Sequence, residues 1–432
     1  MKKIGVGVIG FGTVGAGVVE GLLKNGDKIA ERVGVAVELR RVADLDITTD
    51  RGVEVPAGML TTDADAVIGA PDIDIVVELV GGTGFARTVV RKALEAGQSV
   101  VTANKKLLAE YGGELFPLAV EKGVDLYFGA SVGGGIPIIR ALREGLSGNR
   151  VKSIFGILNG TCNYILTRME TENLSFDDAL AAAQREGYAE ANPTLDVDGF
   201  DTLHKAAILA SLAFGFTPDV SALPVAGIRG TMAAEDIRFA RELGYRIKLL
   251  AVVRDNEGGV EVRVAPTLVP LSGMLASVNG VFNAVKVDCD LADTTLYYGR
   301  GAGRRPTAST VIGDIADVAF NRANNAPLKV IVPKSAKPVE ILPAGEVRCR
   351  HYLRLSVLDE VGTLADITAV LAKNNVSIAS VLQKGATAPG ATHVPVIVLT
   401  HTARQADIDA ALAELAALPS VDGAPVRLGI EE

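Results

Sequence analysis

The feature that most constrains this chain is a run of apolar strands alternating with helix-like stretches over residues 1 to about 130. "KKIGVGVIG" reads as a buried strand and "TVGAGVVEGLLK" as a helix. "VAVELRRVAD" is a second strand and "DIVVELVG" a third; "RTVVRKALEAG" is a helix closed by Gly97. "SVVTAN", "LLAEYGGELFPLAVEKG" and "VDLYFGAS" repeat the pattern as strand, helix and strand. Strands that are apolar throughout are buried on both faces. The alternation therefore predicts a parallel sheet covered by helices on both sides, an α/β Rossmann-type unit.

The texture changes after Asn149. "RVKSIFGILN" is a strand, helices dominate from 161 to about 246, and "IKLLAVVR", "VEVRVAPTLV" and "NAVKVDC" return to strand character. This predicts an α+β domain. A proline-rich passage, "APLKVIVPKSAKPVEILPAG", leads into a third unit that reads strand, helix, strand, strand, helix, strand. That order is the ferredoxin-like βαββαβ arrangement. The expected domains are 1–130 (nucleotide), 131–320 (substrate and oligomerisation), 321–348 (linker) and 349–432 (ferredoxin-like). A return of the chain to the first domain is expected near 300–320.

"GFGTVG" sets Gly10, Gly12 and Gly15 after a strand and at the opening of a helix. In that context the glycines allow a tight turn, close approach of the backbone to a pyrophosphate, and close helix–strand packing. The helix N-terminus adds amide hydrogens aimed at phosphate. The second strand ends "LRRVADLD". Asp44 could bond a ribose 2′-hydroxyl, as in NAD sites, whereas Arg40 or Arg41 could pair with the 2′-phosphate of NADP. Strand alternation sends the two arginines to opposite faces, so one at most should serve. "VTANKK" closes another strand, and ligands in such sheets lie beyond the strands' carboxyl ends. Lys105 therefore falls where a nicotinamide should sit.

Charge narrows the partners. The net charge is −8 and the pI about 5.3, which argues against nucleic-acid or anionic-membrane partners. The three cysteines (Cys162, Cys289, Cys349) form no CxxC pair or zinc-type cluster, in keeping with a reducing cytoplasm. The N-terminal "MKK" and its apolar run imitate a signal peptide, but the glycines are spaced as a turn and no cleavage site follows. No uninterrupted apolar run reaches membrane-spanning length.

The chemistry-bearing stretch is "NPTLDVDGFDTLHKAA", residues 192–207. A helix is expected from Phe200 to Phe214, with Asp201 and Lys205 one turn apart on one face. Alone, that pair could be a surface ion pair. Glu190, Asp196 and Asp198 nearby favour another use, because carboxylates can hold a substrate ammonium and a lysine can exchange a proton with a carbonyl or alcohol oxygen. "GILNGTCNYIL" ends a strand and opens a helix, with Asn159, Gly160 and Thr161 at its cap; their amides could bind a carboxylate or order a loop. "GASVGGGIP" is a carbonyl-rich turn, and "GRGAGRRPTAS" (299–309) reads as a second glycine-rich loop.

These motifs, "GFGTVG", "TANK", "GGGIPII", "GILNGTCNYIL", "NPTLDVDGFDTLHK" and "GAGRRPTAS", occur in the order seen in homoserine dehydrogenases. The resemblance covers residues 1 to about 320. The remainder resembles an ACT domain, with "DEVGTL" (359–364) at its strand–helix junction. The resemblance implies interconversion of L-homoserine and L-aspartate 4-semialdehyde with NAD(P)H, on the route to threonine, methionine and isoleucine. It implies Lys205 and Lys105 as catalytic lysines. Glu190, Asp196, Asp201, Asn159, Gly160 and Thr161 become substrate-binding residues, the three acids holding the amino group. Cofactor contacts are implied at Gly10, Phe11, Gly12, Thr13, Val14 and Gly15, at Arg40 and Asp44, and at Asn104, Lys105, Gly187 and Gly303, with NADP favoured over NAD. A monovalent cation, sodium, is implied on the carbonyls of Gly129, Val132, Gly134 and Ile136. Many relatives carry glutamate where this chain has Gly129, so side-chain help there is absent. Arg304 and Arg305 also stand where relatives have smaller or uncharged residues. The ACT-like tail implies an amino-acid effector, threonine, and the family implies a homodimer or homotetramer.

Two rival functions are consistent with parts of the sequence. One is an aspartate-semialdehyde dehydrogenase working through a Cys162 thioester, but none of the four histidines has an obvious partnering position. The other is a non-enzymatic sensor, which the intact lysine–carboxylate set argues against.

Overall fold

The computed structural model describes residues 2–326, 335, 338–384 and 392–431. Part of the expected 321–348 linker lies outside these residues. The chain divides into two compact units: Met1–Ile154 with His204–Leu223 and Phe282–Val339, and Phe155–Leu203 with Pro224–Val281 and Glu340–Glu432.

The first unit is built on a six-stranded parallel sheet. Its strands are β1 (Lys3–Ile9), β2 (Ala36–Ala43), β3 (Leu60–Thr61), β4 (Ile75–Glu78), β5 (Ser99–Thr102) and β6 (Leu126–Tyr127). They lie in the order 3-2-1-4-5-6, so the order reverses between β1 and β4, where doubly wound sheets bind dinucleotides. The short β3 carries too few residues to show a pattern in sequence. Helix α1 (Thr13–Val33) runs well past the expected end at Lys24. Buried Leu22 and Ile29 keep an apolar stripe through the polar "KNGDK", and Gly34 ends the helix in a left-handed cap. Helix α2 (Gly84–Glu95) and α3 (Lys105–Lys122) complete the expected alternation.

The expected 299–309 loop is corrected. Residues 299–300 end a strand, Thr294–Arg300, and a helix begins at Arg304 and runs to Ala323. Gly303 caps it with φ +124°, and Pro306 falls in the first turn, where a missing N–H costs nothing. This helix packs on α1 so closely that a Cβ on Gly17 would stand 2.7 Å from the Arg304 carbonyl oxygen.

The second unit contains the helices Gly160–Glu172 and Phe176–Arg185, and the hairpin Tyr245–Asn256/Gly259–Pro270. The βαββαβ module follows as Arg348–Leu358, Thr363–Lys373, Ile378–Gln383, His393–Thr400, Gln405–Ala416 and Val421–Ile430. Leu353, Leu355, Ile367, Leu371, Val396 and Ile408 form its core. The module is joined to the hairpin by backbone: Gly429 and Ile430 pair in parallel with Thr267 and Leu268. Beside that junction Glu431, 7% exposed, is ion-paired to both Arg254 and Arg263. A second buried tie joins Asp236 of the Ala234–Glu242 helix to Tyr352 and Arg354 of the Arg348–Leu358 strand. No helix among the described residues is long and apolar enough to cross a membrane.

Candidate active site

The glycine loop has the geometry its spacing predicts. Gly10 has φ +104°, and its N–H donates to the Ala43 carbonyl at the end of β2 (2.8 Å). A Cβ on Gly15 would stand 1.9 Å from the Gly10 oxygen, so only glycine lets α1 start this close to the loop. A Cβ on Gly12 would meet nothing within 4 Å, and Gly12 caps α1 without a side-chain bond. That open space beside helix N–H groups suits a dinucleotide pyrophosphate. Phe11 is buried, Thr13 is exposed and Val14 is half-buried.

The acid at the end of β2 is turned onto the loop. Asp44 accepts from the Phe11 N–H and from the Asp46 N–H. Arg40 is the extra residue at a register shift in the β1–β2 pairing, between Leu39, paired with Val6, and Arg41, paired with Gly7. Arg40 is paired with Glu38 (2.7 Å), toward the amino end of the sheet, and Arg41 donates to the Ala66 carbonyl (2.7 Å). Arg304 donates to the Arg51 carbonyl and approaches Glu20, whereas the Arg305 side chain is 85% exposed.

Sequence reasoning missed Glu78. It is fully buried at the end of β4 and accepts from Thr102 Oγ1 (2.7 Å) and from the Val80 N–H (2.9 Å). It thereby ties the β4 and β5 carboxyl-end loops together. Asn104 caps α3 by accepting from the Leu107 N–H and donates to the Gly82 carbonyl (2.7 Å). Lys105 opens α3 directly after it and is half-buried.

The turn proposed for a cation is tightly packed and rich in glycine. Gly133 and Gly134 have φ +73° and +49°, and a Cβ on Gly134 would stand 2.4 Å from the Gly301 oxygen. Val132 is buried, and the Ile136 carbonyl accepts from the Ile138 N–H. The Gly129 N–H donates to Asp314 (2.7 Å). Burial pushes that carboxyl up to about 7, and a Cβ on Gly129 would collide with it. No cluster of three or more His, Cys, Asp or Glu able to hold a metal occurs among the described residues.

The 192–207 stretch folds as expected. The helix runs Phe200–Phe214, with Asp201 in its first turn. Lys205 lies one turn on and is only 8% exposed; Asp201 is 7% exposed. Both differ from the surface ion pair that their helical spacing alone allowed. The acids are sorted by their partners. Asp198 pairs with Arg229 (3.3 Å). Asp196 and Asp201 instead accept from one group, the Asn159 amide, at 2.7 and 2.9 Å. Asn159 also caps the Gly160–Glu172 helix, its Oδ1 accepting from the Cys162 N–H. Gly160 opens that helix, and Thr161 Oγ1 donates to the Tyr188 carbonyl (2.6 Å). Glu190 is exposed in the loop before Asp196, and none of the Asn159 bonds reaches it. Gly187 stands in a left-handed turn (φ +75°) after the Phe176–Arg185 helix. The Cys162 thiol is buried and donates to the Asp196 carbonyl (3.2 Å), a poor setting for a thiolate nucleophile.

Comparison with known proteins gives a consistent result. Residues 10–129 match the family described as homoserine dehydrogenase, NAD binding domain; residues 137–316 match homoserine dehydrogenase; and residues 351–420 match the ACT domain. The chain is 46% identical to the homoserine dehydrogenase of Neisseria gonorrhoeae, covering 98% of this chain and 97% of that protein. The crystal structure of a homoserine dehydrogenase from Thiobacillus denitrificans superposes with a TM-score of 0.94 at 43% identity, over 100% of this chain and 99% of that one. A hyperthermophilic archaeal homoserine dehydrogenase in complex with NADPH superposes at 0.62 with 28% identity, over 74% and 98%.

Proposed function

The chain belongs to the homoserine dehydrogenase family, and from that premise we propose that it interconverts L-homoserine and L-aspartate 4-semialdehyde with Lys205 as the proton-transferring group. The observation that carries this is the pairing of Asp196 and Asp201 on one amide, with a buried lysine one helical turn from Asp201. Two carboxylates suit the α-ammonium of homoserine, and a lysine shielded from water suits proton exchange with its 4-oxygen.

The nicotinamide, when bound, supplies or accepts hydride at the substrate's reacting carbon. The glycine loop Gly10–Gly15 and the N–H groups of α1 would hold the pyrophosphate. Asp196 and Asp201, with Glu190 as the third acid, orient the substrate through its amino group, and the amides of Gly160 and Thr161 face its carboxylate. Lys205 donates a proton to the oxygen in reduction and takes it back in oxidation; Lys105, at the carboxyl end of β5, supports the same oxygen electrostatically. Oxidation releases a proton, so alkaline pH favours that direction by mass action.

NADP is the favoured nucleotide, with NAD also accepted. The NADPH complex of the archaeal relative supports this. A monovalent cation, sodium, would be held by the carbonyls of Gly129, Val132, Gly134 and Ile136; an all-oxygen donor set beside the buried Asp314 suits a hard ion. The ACT domain is the receptor for threonine as feedback inhibitor of threonine, methionine and isoleucine synthesis. We further propose a cytoplasmic homodimer or homotetramer, and the domain limits 1–130, 131–320, 321–348 and 349–432.

The test is homoserine oxidation by the full chain with NAD and NADP in parallel, with and without threonine. Turnover with both nucleotides, faster with NADP and reduced by threonine, is expected. Absence of homoserine-dependent reduction of either nucleotide would overturn the reading. The full chain is required because removing the tail would strip Gly429 and Ile430 from Thr267 and Leu268 and expose a sheet edge.

A further inference from the structure

We infer that Asn159 is a positioning residue that sets the distance between the two substrate acids, and through it the enzyme's demand for an α-amino group. The inference rests on Asp196 and Asp201 being the ammonium-binding acids. Asn159 has one amide nitrogen with two hydrogens, and both are used: one to Asp196 Oδ1 at 2.7 Å, one to Asp201 Oδ2 at 2.9 Å. Its oxygen is engaged as well, accepting from the Cys162 N–H at 2.8 Å. Asn159 is 5% exposed. It therefore acts through the acids rather than on the substrate.

The spacing it imposes is chemically specific. Planar amide hydrogens diverge by about 120°, so acceptors at 2.7 and 2.9 Å stand about 4.9 Å apart. A tetrahedral ammonium donating to two carboxylate oxygens at about 2.8 Å spans about 4.6 Å. The amide thus holds two like-charged groups at nearly the separation that one ammonium bridges. The amide offsets the repulsion between the two acids, so an ammonium has less to gather at its own cost. Two local features lock the amide in place. The helix cap fixes its oxygen, and the Cys162 thiol donates to the backbone carbonyl of Asp196 itself (3.2 Å).

Asn159→Ser tests this, because serine caps a helix about as well as asparagine but has no amide to share. The full-length variant is compared with wild type on homoserine and on 4-hydroxybutanoate, which is homoserine without its amino group. The KM for homoserine is expected to rise about tenfold or more, with the KM for NADP within about twofold of wild type. The preference for homoserine over 4-hydroxybutanoate in kcat/KM is expected to fall by a similar factor. A folded variant with homoserine KM and preference within about twofold of wild type would overturn the inference. If Asn159→Ser does not fold, Asn159→Asp keeps the cap and shape. Its homoserine KM is then expected to fall severalfold from pH 9 to pH 6, as protonation restores one shared donor, whereas wild type does not follow that course. Parallel pH profiles would overturn the inference. A wild-type enzyme that turned over both substrates equally would instead refute the role of the acids themselves.

Discussion

Replacing Asp236 by alanine should loosen the ACT module from the rest of its unit, and the magnitude follows from the contacts. Asp236 is fully buried and accepts four hydrogen bonds: from Tyr352 Oη (2.8 Å), Arg354 Nε (2.6 Å), an Arg354 terminal nitrogen (3.0 Å) and the Ala233 N–H (2.7 Å). Removing one partner of a buried ion pair costs about 3–5 kcal/mol, because the other charge is left behind. Arg354, whose side chain is 14% exposed, retains Glu235 at 2.7 Å, which places the loss near the lower end, about 3 kcal/mol. That corresponds to a factor of about 150 in the local opening equilibrium. Hydrogen exchange read by mass spectrometry is the suitable assay, since the loss is local and the chain has no tryptophan to report it. Amides of 234–242 and 348–358 should exchange about 100-fold faster in Asp236→Ala, while those of β1 and β4 stay unchanged. Tyr352→Phe removes a single bond to the carboxylate, about 1.5 kcal/mol, and should give only about tenfold. A change under about threefold in Asp236→Ala would refute the claim that this ion pair fastens the module.

Two further outcomes are expected. Gly12→Val should fold with a wild-type melting temperature, since a Cβ there meets nothing, yet lose NADPH binding measured by titration calorimetry. Lys248 is 1% exposed, donates to Asn163 Oδ1 (2.9 Å) and to the Val278 carbonyl, and burial lowers its pKa to about 7. The unfolded chain binds its proton more tightly, so wild-type stability relative to Lys248→Met should rise between about pH 7 and pH 10.5. The slope, from urea unfolding followed by circular dichroism, should approach about 1.4 kcal/mol per pH unit.

Much of this molecule is legible in sequence where the signal is local. The helix Phe200–Phe214 begins and ends where its apolar run does, and the glycines at 10, 12 and 15 take the positions their spacing dictates. The 299–309 segment misleads because glycine and proline normally mark loops, yet proline is tolerated in a first helical turn, and the helix starts at Arg304. The polar "KNGDK" hides the second half of α1, whose buried stripe is too thin to outweigh it. What sequence conceals is long-range. Asn159 meets acids 37 and 42 residues away, and Asp236 meets residues 116 and 118 away. Glu78 and Lys248 escape notice because several of their partners are backbone atoms, which carry no sequence signature.

The central claim is that Lys205 moves the substrate proton. Reduction of L-aspartate 4-semialdehyde by NADPH, followed in a single turnover with Lys205→Ala, tests it most directly. General acid catalysis contributes about 10²–10⁴-fold. The variant should therefore transfer hydride at least about 100-fold more slowly while binding NADPH within about twofold of wild type. A single-turnover rate within about threefold of wild type would contradict the account.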